Sequence, residues 1–153
     1  VERTLILIKP DAIARGLAGT ILARFEQKGL KVAGLKMIQL TDALLREHYS
    51  HLADKPFFPT ITEFMSRLPV IALCLEGLEA VDVCRKMCGV TNSRKAEPGT
   101  IRGDFGMSMQ ANLVHASDST ESAAAEVKRF FSDDELSDYE PALLSYCLAA
   151  DER

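Results

Sequence analysis

The sequence predicts an α/β fold, an α+β sandwich of the ferredoxin-like, split βαβ kind, with a four-stranded antiparallel sheet covered by helices. Three observations point there. Strand and helix signals alternate in the order β-α-β-α-α-β-α-β-α. At 153 residues, without repeats, low-complexity tracts or an obvious linker, the chain suits a single domain over 1–153 with a C-terminal tail from about 140. Hydrophobic residues make up 47% and charged residues 26%, the balance of a packed chain rather than a disordered one.

Each element has its own signal. TLILIK (4–9) is a branched apolar run that Pro10 stops. Ile13, Leu17, Ile21, Leu22 and Phe25 recur at helical spacing, so one helix is expected over 11–29 with Gly29 as its stop. LKVAGLKMIQL (30–40) reads as a strand that Gly34 interrupts as a bulge. Thr41-Asp42 starts a helix through about Leu52, and Pro56 another through about Arg67. VIALCLEG (70–77) is a strand buried on both faces, and LEAVDVCRKMCG (78–89) a helix closed by glycine. Residues 90–110 hold little periodicity and read as a functional loop. NLVHAS is the last strand, and SDSTESAAAEVKRFF (117–131) the last long helix.

Charge and cysteine usage narrow the function. Eighteen basic against 22 acidic residues give −4, so no basic field argues for nucleic acid or an anionic membrane, and any anion site must be local. No apolar run reaches transmembrane length, and TLILI ends at Lys9-Pro10, so a cytoplasmic protein is expected. Cys74, Cys84, Cys88 and Cys147 lie mostly in apolar periodic segments and read as free thiols. No G-x-x-x-x-G-K-[ST] or G-x-G-x-x-G occurs. Nucleotides, if bound, are bound without a P-loop.

His115 is the odd histidine among three, because apolar strand residues run straight into it. Asp118 followed by Glu121 has the spacing of a capping box, which would start a helix immediately after His115-Ala116-Ser117. A helix N-terminus with its unpaired N–H groups suits phosphate. On that helix Glu126 projects about 40° from Phe130, at the edge of the apolar stripe. A partly buried carboxylate there needs a donor, and a ring N–H of His115 would fix the tautomer and turn the other nitrogen outward as a nucleophile. A satisfied core histidine and an exposed glutamate are the alternative.

Other residues gain meaning together. Arg102 sits between two glycines, Arg85 at the margin of a packed helical stripe, Lys9 at a strand end, and Phe57-Phe58 beside Pro56. Singly, each has a bland reading as a loop arginine, a snorkelling side chain, a solvated lysine or core packing. A zinc module from His48, His51, Cys84 and Cys88 is disfavoured, because the pairs lie on separate helices without C-x-x-C loops.

NLVHASDS resembles the active-site signature N-x-x-H-G/A-S-D of nucleoside diphosphate kinases. TLILIKPDAIARGLAG, RFEQKGLKVAGLKM, EHYSHLADKPFF and PGTIRGDF are similar to the family's other blocks in the same order, from about Glu2 to about Tyr139. The resemblance implies ping-pong transfer of the terminal phosphoryl of a nucleoside triphosphate such as ATP to a nucleoside diphosphate, with His115 as carrier. It implies that Glu126 and Ser117 orient His115, and that Lys9 and Asn112 contact the sugar and leaving phosphate, Tyr49 bracing Lys9. Arg85, Thr91 and Arg102 would hold phosphates, and Phe57 would stack on the base. Magnesium (Mg2+) would be held mainly by the nucleotide phosphates, and the chain would form a homo-oligomer, a hexamer first. Ala116 replaces the more frequent glycine, and Thr91-Asn92-Ser93 stands where the family often has T-N-P, so Ser93→Pro is expected to tighten the assembly. A catalytically idle scaffold of the same fold is the rival reading, against which the complete set of site residues speaks.

Overall fold

The computed structural model describes residues 1–153. Four strands, β1 (Glu2–Ile8), β2 (Lys31–Ile38), β3 (Val70–Gly77) and β4 (Val114–Ala116), form one sheet in the order β2-β3-β1-β4. All three pairings are antiparallel, as predicted. β1 is central. Its alternate residues feed two cores: Ile6 and Ile8 pack with Ile21, Phe25, Leu73 and Cys84 on one face, Leu5 and Leu7 with Leu45, Phe58, Val127 and Phe130 on the other. Burial on both faces explains why the strand reads as an unbroken apolar run.

Eight α-helices cover the sheet, and their bounds correct several expectations. The single helix expected over 11–29 is two, α1 (Pro10–Ala14) and α2 (Ala18–Gln27). Gly16 separates them at φ +66°, a left-handed conformation that ends the first helix at little steric cost to glycine. Pro10 therefore opens a helix as well as closing a strand, the place where its missing N–H costs nothing. α3 (Asp42–His48) starts as expected, with the Thr41 side chain accepting from Leu44 N, but ends four residues early. α4 (Phe58–Ser66) takes Pro59, not Pro56, into its first turn. α5 (Ala80–Cys88) ends at Gly89.

The segment 90–110 is not all loop. A 3-10 turn (Ser93–Lys95) and α6 (Ile101–Phe105) lie in it, α6 being capped by Thr100 on Gly103 N at 2.9 Å. The bulge in β2 is present, with the register shifting between Val32 and Gly34. Gly34 also lets Phe131 and Leu136 approach, since a Cβ there would meet both at 2.9 Å. α7 (Thr120–Phe130) is capped by Ser119, whose side chain accepts from Ser122 N at 3.1 Å. The Asp118–Glu121 capping box is thus not formed: Ser119 takes the N-cap position one residue later, and Asp118 pairs with Arg85 instead. Past α7 a 3-10 turn (Asp133–Glu135) is followed by α8 (Leu144–Cys147). The chain between them lies along β2, where Ser137 N and Tyr139 Oη donate to the carbonyls of Ala33 and Val32. Cys74, Cys84 and Cys88 are buried free thiols, whereas Cys147 is exposed. No helix is long and apolar enough to cross a membrane.

Candidate functional site

The ends of β1 and β4 open into a cleft of about 1060 Å³, walled by α3, α4, α5 and α6. Lys9, Tyr49, Phe57, Arg85, Thr91, Arg102, Asn112, His115 and Glu126 all line it. Ser117 lies beneath, fully buried.

At the centre, His115 Nε2 meets Glu126 Oε2 at 3.1 Å, and Ser117 Oγ donates to the same carboxylate oxygen. Ser117 is itself anchored on β1, its Oγ accepting from Leu5 N at 3.3 Å. The two side chains of the His–Glu pair are only 20% and 13% exposed, so Glu126 is not the solvated residue of the bland alternative. Burial pushes the Glu126 carboxyl up, but hydrogen bonds from His115 and Ser117 outweigh it and hold it below the usual carboxylate range. An ionised carboxylate can only accept, so His115 carries its hydrogen on Nε2. In the neutral ring Nδ1 is then the nitrogen with the lone pair.

Lys9 is buried and donates to Gln110 O at 2.7 Å and Asn112 Oδ1 at 2.8 Å, with its ammonium 5.1 Å from the Phe64 ring centroid. Burial brings its pKa down to about 8 against the pull of Asp11. Asn112 in turn donates to Thr91 O and Met109 O, which ties the 90–110 segment to β4. No hydrogen bond joins Tyr49 to Lys9; the Tyr49 ring lies edge-on to His48 at 4.8 Å, and burial pushes its hydroxyl up to about 12.

Arg102 donates to three backbone carbonyls, Asn112 O at 3.1 Å, Gly89 O at 2.8 Å and Val114 O at 2.6 Å. It holds α5, α6 and β4 together, a structural task that its place between two glycines did not reveal. Two of its five N–H groups remain for a ligand. Arg85 is half-exposed and paired with Asp118. Phe57 is 50% exposed at the cleft mouth, while Phe58 is core.

Three contributors escaped the sequence reading. Phe64 lies beside Lys9, Asp11 Oδ2 accepts from Leu113 N at 3.0 Å, and His48 packs on His115. Asp11 steadies an unusual residue: Leu113, two before His115, has φ +75°. The zinc grouping is not assembled. The one group of potential metal ligands joins His48 to His115 and Glu126, not to the cysteines.

A carboxylate-held histidine in a lysine- and arginine-lined cleft, on a fold without a P-loop, belongs to the class of phosphotransferases. Comparison with known proteins agrees. The nucleoside diphosphate kinase family matches residues 2–136. The nucleoside diphosphate kinase of Parabacteroides distasonis is 55% identical over 99% of both chains, and that of Pyrococcus abyssi 51% identical over 90% of this chain and 89% of its own. Among solved structures, the Halobacterium salinarum enzyme in complex with CDP superposes with a TM-score of 0.93 at 40% identity, covering 96% of this chain and 98% of that one. A Babesia bovis family protein gives 0.93 at 41%, covering 97% and 100%. The chain belongs to the nucleoside diphosphate kinase family.

Proposed function

We propose that this chain is a nucleoside diphosphate kinase that moves the terminal phosphoryl group of ATP or another triphosphate to a nucleoside diphosphate through a phosphohistidine on His115. The observation that carries the assignment is the His115 Nε2–Glu126 contact of 3.1 Å within the cleft. With the ring hydrogen committed to Glu126, the Nδ1 lone pair attacks the terminal phosphorus. The bond from phosphorus to the bridging oxygen breaks, its electrons leave with the diphosphate, and no ring proton has to move. A second diphosphate reverses the step by attacking the N–P bond.

Such a transfer passes through a loose transition state, so positioning and positive charge do most of the catalysis. Lys9 supplies charge at the leaving oxygen, and Asn112 keeps the ammonium aimed. Arg85, Thr91 and Arg102 hold the phosphates, the incoming anion competing with Asp118 for Arg85. Phe57 offers a flat face to any base. Magnesium fits as a companion of the polyphosphate, because the only ligand group in the cleft is rich in imidazole, whereas Mg2+ prefers oxygen. When bound, it neutralises phosphate charge. An idle scaffold has no such observation in its favour.

The chain would act as one domain over 1–153 in the cytoplasm, as a homo-oligomer, a hexamer first. β2 is an edge strand with Leu35 and Met37 half or more exposed, apolar surface that a second copy would cover. Sedimentation at micromolar concentration tests the assembly. Incubation with magnesium and radiolabelled ATP tests the chemistry. The label should be acid-labile, base-stable and lost in His115→Ala; a label that survives that substitution refutes the carrier role.

A further inference from the structure

His48, at the end of α3, has no part in the transfer described above, yet its ring lies 4.6 Å from that of His115 at an interplanar angle of 79°. It is buried, and also packs edge-on against Tyr49 at 4.8 Å and Phe130 at 5.2 Å. Arg129 of α7 reaches its Nδ1 at 3.2 Å. A guanidinium has hydrogens to give and no acceptor, so Nδ1 must accept and cannot carry the ring hydrogen. Burial, and then the neighbouring His115, push the His48 pKa down to about 3, which leaves one hydrogen on the ring. That hydrogen is on Nε2.

Nε2 is buried and has no hydrogen-bond partner. A buried N–H without a partner is a standing cost to the fold. Phenylalanine would make the same three ring contacts and bury no polar atom, so packing alone gives no reason for an imidazole here. A metal gives none either. Ligand atoms of His48, His115 and Glu126 lie within 4.8 Å of one another, but a ring with Nδ1 engaged by Arg129 and hydrogen on Nε2 has no lone pair to offer.

We propose that His48 is a positioning residue for phosphoryl transfer: Arg129 locks it as the Nε2–H tautomer, and its polar edge holds the His115–Glu126 pair in the orientation that aims Nδ1 into the cleft. The inference rests on His115 being the phosphoryl carrier. The N–H dipole favours the charged carboxylate, and the ring blocks rotation of the imidazole out of line. Arg129 also pairs with Glu47 at 3.2 Å, on the solvent side where Glu47 is exposed and the pair contributes little.

The test compares His48→Phe, Arg129→Met and Glu47→Gln in steady-state exchange, rapid-quench formation of phosphoenzyme, and melting. His48→Phe removes the unpartnered Nε2 and the Arg129 bond together, so it should melt near the wild-type temperature while kcat falls about ten- to a hundredfold, the scale of a misplaced reacting group, with KM within about twofold. A structural role would lower stability and turnover together. Turnover within about twofold of wild type in His48→Phe overturns the proposal. Should that variant not fold, Arg129→Met decides: it must lose turnover on the same scale, while Glu47→Gln stays within about twofold of wild type. Equal losses in Arg129→Met and Glu47→Gln would assign the effect to the ion pair and overturn it. Long-range 1H–15N spectra of the wild type should show His48 protonated on Nε2, and protonation on Nδ1 overturns it as well. A wild type that never labels His115 removes the carrier assignment and this one with it, whereas a labelled wild type beside a fully active His48→Phe removes this one alone.

Discussion

Glu126→Ala separates orientation of the nucleophile from binding of the substrate. The carboxylate makes two contacts, with His115 Nε2 at 3.1 Å and with Ser117 Oγ, and none of them is to a group assigned to the nucleotide. A hydrogen bond to a charged group contributes about 1.5–3 kcal/mol. If that orienting energy is realised in the transition state, its loss lowers kcat by about 10- to 150-fold, at 1.36 kcal/mol per factor of ten. KM should stay within about twofold. The fold also weakens, by about 1 kcal/mol, because the hydroxyl hydrogen of fully buried Ser117 is left with only a long contact to Leu5 O at 3.5 Å, while its oxygen still accepts from Leu5 N. Rapid-quench labelling measures the first half-reaction directly. An effect confined to KM, or an unchanged labelling rate, would refute the orienting role. Stability against pH gives an independent check with Glu126→Gln. Since the folded carboxyl lies below its ordinary 4.5, its contribution is present above that pH and is lost as pH falls through the folded value, so wild type and variant should converge in acid.

Lys9 carries a second pH signature. With its folded pKa lowered to about 8 from 10.5, the unfolded chain binds more protons between those values, and stability should rise with pH across that window. The same deprotonation removes charge from the cleft, so kcat/KM should fall about tenfold per pH unit above about 8, a limb that Lys9→Arg moves out of range; a flat profile to pH 10 would refute the role of the ammonium. Phe57→Ala should raise KM for every nucleoside diphosphate, stacking being worth about 1–3 kcal/mol, and shrink any purine advantage. Differences of thousands-fold among guanosine, cytidine and thymidine diphosphates would reveal a base-reading group instead. Ser93→Pro, expected to tighten the assembly, should not raise the melting temperature of the isolated fold. Ser93 N donates to Ser108 O at 3.3 Å, and losing about 0.5–1.5 kcal/mol there offsets the about 0.4–1 kcal/mol gained through the unfolded state. A higher melting temperature by calorimetry would show that this bond contributes little.

What the sequence determined by itself is local. Apolar runs, the Thr41 start and the glycine after Cys88 placed strands and helices near their observed positions, because propensity and capping act over three or four residues. The N-x-x-H-x-S-D pattern singled out His115, and helical spacing put Glu126 on the edge of α7 that faces it. Tertiary structure decided the rest. Gly16 breaks a helix that periodicity carried through, and Ser119 caps α7 while Asp118 pairs with Arg85, 33 residues away. α6 hides in a glycine-rich segment whose helix is held by Arg102 reaching Gly89, Asn112 and Val114. His48 looked like a companion of His51 until α7 brought Arg129 across a separation of 81 residues. Periodicity reports which face of an element is buried; which donor meets which acceptor there depends on how the elements pack, and that is settled only when both faces of the sheet are covered.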